Sequence, residues 1–237
     1  MDRRTLRERL KYHLIPPSWH ARDVRRRLRR LEPEFDLLPF LVSRERTAVD
    51  IGANKGGYTR ELLKFAAAVH AFEPRPALLP WLRRIRSSRL TVHSFAVGSY
   101  DGDATLHVPI NKRGVTSNQL ASLTPPREGG EHLKLSCPVR RMDSLDLGDV
   151  GFIKIDVEGH EAQVIEGASE LIARSRPVML IEIEEAHAGK PVRGIIDKIE
   201  HHGYRSMALV DNVLTDARQV ENPSAAHVFN YIFLPLF

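Results

Sequence analysis

From Thr47 onward the chain alternates between short apolar runs and longer runs with apolar residues every three or four positions. TAVDIG (47–52), AVHAFEP (68–74), LTVHSFAV (90–97), GFIKIDVEG (151–159) and PVMLIEIE (177–184) read as strands. Residues 58–67, 76–86, 160–174 and 192–202 read as the helices between them. The second presents Leu78, Leu79, Leu82 and Ile85, and the third buries Val164, Ile165, Leu171 and Ile172. Such alternation predicts an α/β fold: a doubly wound, mostly parallel sheet with right-handed crossovers and helices on both faces. YRSMALV (204–210) and HVFNYIFLP (227–235) follow without room for a packing helix, which predicts an antiparallel pair at one edge.

The rhythm breaks over residues 98–150. ATLHVPI (104–110), a polar loop at 117–130 and CPVRRM (137–142) suggest an inserted hairpin or flap. A loop this long inside a compact domain is usually functional. Asn118, Gln119 and Ser122 make it a candidate wall for a substrate pocket, although loop polarity alone would also account for them.

Upstream, Val24, Leu28, Leu31, Phe35 and Leu38 recur at helical steps, giving an arm with an apolar stripe for docking. Pro33 is expected to split this arm into two helices. The expected division is a basic arm over 1–46 and a catalytic domain over 47–237. Charge supports it: the net charge of +5 divides into +6 for residues 1–46 and −1 for the rest. The run RDVRRRLRR (22–30) is suited to peripheral contact with an anionic surface. A solvated helix face is the simpler account.

Hydrophobic residues at 42% and charged residues at 27% exclude global disorder. The lone Cys137 excludes an intrachain disulfide or a Cys-rich zinc site. No apolar run approaches the ~18 residues needed to span a bilayer. The N-terminus lacks the apolar segment of a secretory signal, so a reducing cytoplasm is the expected location.

In a doubly wound sheet, ligands sit beyond the carboxyl ends of the strands. After the first strand comes Asp50-Ile51-Gly52-Ala53-Asn54-Lys55-Gly56-Gly57. Its glycines fit neither GxGxxG nor a P-loop, so a pyrophosphate cradle is missing, yet a small zwitterion has room. Asp50 could hold a ligand amine. Glu73, after the second strand, could accept from two ribose hydroxyls. The fourth strand carries Lys154 and then Asp156 and Glu158 at the cleft mouth. A Lys in a central strand requires a partner acid, Asp156 or Glu182. A structural ion-pair cluster is the competing account of these charges.

These residues resemble the FkbM-type methyltransferases, which use S-adenosylmethionine (SAM). The resemblance rests on VDIGANKGGYT (49–59), AFEP (71–74), FAVG (95–98), RMDSL (141–145), IKIDVEGHEAQVIEGA (153–168), PVMLIEIE (177–184) and NYIFLP (230–235). It covers residues 34–235 and leaves out the basic arm before Pro33. It implies a seven-stranded, Rossmann-like sheet. Asp50, Gly52, Asn54 and Gly56 would surround the methionine part of SAM, with Tyr58 and Thr59 opening the helix beneath. Glu73 would hold the ribose, and Ala96 and Val97 would flank adenine. The run 99–103 leaves the acid on the adenine side ambiguous.

The resemblance also implies O-methylation of a hydroxyl on a sugar, glycan, lipid-linked or natural-product small molecule. Lys154, Asp156 and Glu158 are the candidate catalytic residues, with a carboxylate as base. His160 is a titratable third acid–base candidate, expected to face solvent at a helix start. Magnesium held by Asp156, Glu158 or Glu182 is a variant of the mechanism, and no metal ligand is assigned. Competing readings are an NAD(P)-dependent oxidoreductase, disfavoured by the glycine spacing, and a non-catalytic SAM-binding module. A nucleic-acid acceptor is disfavoured because the core is not basic and no Asn/Asp-Pro-Pro-Tyr/Phe segment occurs.

Overall fold

The structure is a computed structural model that describes residues 16–111, 116, 121–124, 131–184 and 192–236. Asn118 and Gln119 lie outside the described residues. The chain opens with helix α1 (Pro17–Leu31), a tight turn (Pro33–Leu37) and the short helix α2 (Leu38–Leu41). Pro33 separates the helices as its missing N–H requires. Next come β1 (Thr47–Ile51), α3 (Gly57–Leu62), β2 (Ala68–Phe72), α4 (Leu79–Arg83), β3 (Leu90–His93) and β4 (Ala96–Val97). The insertion contributes β5 (Gly102–Pro109) and β6 (His132–Arg140). Then follow β7 (Val150–Ile155), α5 (Glu161–Glu166), α6 (Ser169–Ser175), β8 (Val178–Glu182) and α7 (Val192–Glu200). The chain ends with β9 (Tyr204–Val210), β10 (Val213–Asp216) and β11 (Asn230–Pro235).

The main sheet runs β10-β9-β11-β8-β7-β1-β2-β3. Its β8-β7-β1-β2-β3 part is parallel. Strand β11 is antiparallel to both β8 and β9, and β10 is antiparallel to β9. The sheet therefore has eight strands, not seven. The added strand follows a two-residue reversal at Asp211 and Asn212, with φ of 48° and 64°. Two successive left-handed residues suit a hairpin whose twist matches its strands. The expected terminal pair is real, but β11 sits inside the sheet between β8 and β9.

Residues 90–97 are not one strand. The first part, β3, joins the main sheet, whereas β4 pairs with β6 in a second sheet ordered β4-β6-β5. The β5–β6 hairpin pairs Gly102 with Val139 through to Pro109 with His132. Ala96, Leu106, Val108, Cys137 and Val139 give it a core of its own. Residues 160–174 likewise form two helices. The break falls at Gly167, where a Cβ would lie 1.9 Å from the Gly98 carbonyl oxygen. The α5–α6 junction can pack against the loop after β4 only without a side chain there.

Both faces of the main sheet are buried, as a parallel sheet requires. On one face Ile153, Ile155 and Ile181 pack under α5, α6 and α7. On the other, Phe152, Leu180 and Ile232 pack with Leu62, Tyr58, Phe35 and Leu38. Phe35 meets Tyr58 edge to face at 5.1 Å. Of the arm's stripe, Val24, Phe35 and Leu38 are buried and Leu28 packs beside them, while Leu31 faces solvent. Leu38→Ala should cost about 2–5 kcal/mol, as for other fully buried leucines. A urea melt checks this; a change near zero would show that the arm folds apart from the sheet.

Candidate functional site: a carboxylate-lined cavity at the strand tips

A cavity of about 370 Å³ opens where β1, β2 and β7 end, with walls also from α1, β4 and the insertion. Its floor depends on one glycine. Gly52 has φ +83°, and a Cβ there would lie 1.8 Å from the Asp156 carbonyl oxygen. The tips of β1 and β7 can therefore touch, and the Asp156 N–H donates to Ile51 at 3.0 Å. Any other residue would force them apart.

Six carboxyl groups line the walls: Asp50, Glu73, Asp156 and Glu158, with Glu32 and Glu182 beside them. Glu73 accepts the Asn54 N–H on one oxygen and the Arg75 N–H on the other, both at 2.8 Å. Each oxygen keeps a lone pair for a further donor. Burial pushes the Glu73 carboxyl up to about 7. Asp50 accepts from the buried Thr59 hydroxyl, and burial raises it to about 6. Burial, with the nearby Glu182, holds Asp156 well above the usual carboxylate range. Burial and the neighbouring Asp156, Glu182, Glu184 and Glu161 push Glu158 up to about 9. Glu158 sits at φ 53°, followed by Gly159 at 92°, a turn that swings the backbone after β7. The insertion clamps this turn: Ser122 Oγ donates to the Glu158 carbonyl at 2.6 Å, and Thr124 Oγ1 to Gly159 at 3.1 Å.

Lys154 is 1% exposed. Its Nζ donates to Asn230 Oδ1 at 3.1 Å, ion-pairs with Glu182 at 3.7 Å and lies 5.1 Å from the centre of the Tyr58 ring. Burial opposes its charge, but Asp156, Glu182, Glu32 and Asp50 outweigh that and raise its pKa. The predicted partner acid is thus Glu182, with Asp156 adding to the field.

Of the residues singled out in the sequence, Asp50, Gly52, Asn54, Tyr58, Glu73, Ala96, Val97, Lys154, Asp156 and Glu158 all reach the cavity. Gly56 and Thr59 do not line it. Gly56, at φ +79°, turns the chain into α3, and Thr59 stands behind Asp50. His160 does not face solvent. It lines the cavity, burial lowers it to about 4, and its buried Nε2 has no hydrogen-bond partner among the described residues. In the ambiguous run after β4, Asp101 caps the chain by accepting from the Arg141 N–H and the Ser144 hydroxyl.

Other contributors were not foreseen. Glu32 lines the cavity and accepts from the Tyr58 hydroxyl at 2.6 Å. Asn230 and the fully buried Arg75, which donates to Thr116 at 2.7 Å, support it from behind. Asp156, Glu158, Glu161, Glu182 and Glu184 also surround a small side hollow. Among the described residues no group of three or more His, Cys, Asp or Glu side chains is arranged to hold a metal ion.

A sequence model of the Methyltransferase FkbM domain matches residues 50–206. The chain belongs to the FkbM methyltransferase family. An FkbM methyltransferase from Methylobacillus flagellatus is 18% identical, with a TM-score of 0.52, over 81% of this chain and 44% of that one. The chain thus spans less than half the length of that relative. An rRNA methylase from Streptococcus thermophilus is 12% identical, with a TM-score of 0.51, over 87% of this chain and 96% of that one. A Streptococcus mutans protein described as a methyltransferase and solved in complex with SAH is 10% identical, with a TM-score of 0.50, covering 86% and 97%. At such identities the structures share the fold and no more. No curated protein matches this sequence.

Two members of the Lys154 cluster, Glu32 and Asn230, lie outside the stretch that the FkbM domain matches. Segments on both sides of the matched stretch thus contribute to the Lys154 cluster.

The raised carboxyls have a consequence for stability. Each is a stronger base in the folded chain than in the unfolded one, so the folded state holds the extra protons. Above about pH 7.5 His20, His70, His93 and His160, which burial lowers, are neutral in both states and add nothing. Between there and about 9, the value for Glu158, rising pH removes protons from the folded chain alone. Stability of the ligand-free protein should fall across that window. A series of urea midpoints tests this, and midpoints that rise with pH would contradict it.

Proposed function

We propose that this FkbM family member is a SAM-dependent methyltransferase that methylates a hydroxyl on a sugar, glycan, lipid-linked or natural-product small molecule. The observation that carries the reading is the electrostatic character of the cavity. Asp50, Glu73, Asp156 and Glu158 are all held above their ordinary pKa by burial. Such a site gains free energy from a cationic ligand and loses it with an anionic one. A sulfonium nucleoside carries net positive charge, whereas a dinucleotide brings a pyrophosphate. The oxidoreductase alternative is disfavoured for this reason and by the glycine spacing. SAH, carried by one structural neighbour, is the demethylated product of SAM.

The residues present fit that cofactor. Glu73 has a free lone pair on each oxygen for the two ribose hydroxyls, and the turn at Gly52 leaves backbone close to the cavity. Phe95, Ala96 and Val97 line an apolar side suited to adenine. When bound, SAM supplies a methyl group already activated on sulfur. What remains for the protein is alignment, which supplies roughly 7–11 kcal/mol in well-oriented systems, and removal of the hydroxyl proton. Asp156 and Glu158 stand at the cavity mouth, and their raised pKa makes each a strong base for a carboxylate once ionised. Lys154, fixed by Asn230 and Glu182, is a positioning residue that sets the charge of this pair. The insertion, by clamping Glu158 and Gly159, fixes where the base sits and forms the wall for the acceptor.

Isothermal titration should show heat with SAM and SAH and none with NAD; heat with NAD alone would overturn the reading. A positive ligand displaces protons from the raised carboxyls, so SAM affinity should rise with pH between about 7, the Glu73 value, and about 9, the Glu158 value. Titration in two buffers of different ionisation enthalpy counts the protons, and none released would contradict the assignment. Asp156→Asn should lower turnover on a panel of hydroxyl acceptors by roughly 10²–10⁴-fold, well beyond any loss of SAM affinity. Lost SAM binding with unchanged turnover per bound SAM would remove Asp156 from the chemistry.

A further inference from the structure

The two faces of helix α1 differ in a way the methyl-transfer reading does not use. His20, Val24 and Leu28 face the domain. His20 lies 4.3 Å from the Trp81 ring, Val24 is buried, and both Val24 and Leu28 line the cavity. On the opposite side, Trp19, Arg22, Arg26 and Arg30 follow one another at steps of three, four and four, and all are exposed. Those steps put the four on one stripe. Two other arginines of the helix are engaged: Arg25 pairs with Glu61 and Arg29 with Asp36. Arg22, Arg26 and Arg30 have no ion pair among the described residues. Trp19 is 72% exposed, and Leu31 and Phe40 in the same N-terminal stretch are 61% and 86% exposed. The one acid of the helix, Asp23, flanks this stripe.

We propose that the outer face of α1 docks the protein on an anionic phospholipid bilayer. Guanidinium groups in a row complement lipid phosphates, and an indole among them matches the depth at which tryptophan settles in a membrane interface. The contact is peripheral, because the apolar face of α1 is already spent on the domain. Among the described residues no helix is long and apolar enough to cross a membrane. A nucleic acid fits less well. The net positive charge belongs to the arm, the rest of the chain being at −1, and a phosphodiester strand entering the cavity would meet Glu158, Asp156 and Glu182. A bilayer touches only the outer stripe. Because a helix is about 10–12 Å across, lipid on one side of α1 lies that far from the cavity wall on the other.

The test needs no acceptor and does not depend on the methyl-transfer reading. Full-length protein is sedimented with vesicles of pure phosphatidylcholine and of a phosphatidylcholine–phosphatidylglycerol mixture, at low and high salt. Binding is expected only to the anionic vesicles and should weaken with salt. Replacing Arg22, Arg26 and Arg30 together by Glu should weaken it by roughly a hundred-fold or more. Their replacement by Gln should weaken it less, and melting temperature and SAM titration should stay as in the parent. Trp19→Ala should also reduce binding. Failure to bind anionic vesicles at low salt would overturn the proposal. So would undiminished binding by a well-folded triple variant, or binding of an RNA oligonucleotide through the same arginines in place of vesicles.

Discussion

The site is organised around the balance of charge at a single buried ammonium. Lys154 stands in the middle strand of a sheet covered on both faces, where an unpaired cation would cost several kcal/mol. Its compensation comes from distant parts of the chain. Glu32 precedes the sheet, Asp50 stands one residue before the end of β1, Asp156 follows β7, and Glu182 ends β8. Asn230 at the start of β11 supplies a neutral acceptor. The carboxylates in turn could not share so small a volume without the lysine. Each charge is tolerable because the others are present, and the cavity is the space they leave.

Close backbone approaches give this cluster its shape. Gly52 lets the tips of β1 and β7 meet, and Gly167 lets the helices after β7 seat against the loop after β4. The second contact brings the small β4-β6-β5 sheet alongside the cavity, so that its loop can hold the turn at Glu158. In the proposed methyl transfer a rigid turn matters, since a base that wanders loses most of the benefit of proximity. The closeness of the buried carboxyls and the fixed turn at Glu158 are thus products of the same packing.

The arm is more than an appendage to this arrangement. Phe35 and Leu38 sit in the core beneath the sheet, and Glu32 reaches the Tyr58 hydroxyl and the field of Lys154. Periodicity showed an apolar stripe for docking on the domain and a proline break, but not that Glu32 would reach the field of Lys154. His160 departs from its local pattern for a similar reason. A histidine before a helix usually meets water, but this one lines the cavity and lies against Gly98, where a Cβ would come within 3.2 Å of its Nε2. Leu31 erred the other way, keeping the helical spacing but falling at the end of α1, where no wall remains to cover it.

By itself the sequence determined the alternation of strands and helices, the parallel core of the sheet, the glycine turn after the first strand and the cluster of charges on the fourth. These are local properties: period, turn chemistry and the requirement that a charge in a covered strand be answered. The family resemblance followed from the same short segments. Only the tertiary structure decided that Glu182 and Asn230 serve Lys154, that β11 inserts between β8 and β9, that Asp211 and Asn212 start an eighth strand, and that residues 90–97 divide between two sheets. Each joins groups far apart along the chain. Their pairing is set by shape and electrostatics once the core has closed, and no pattern within a short window carries that information.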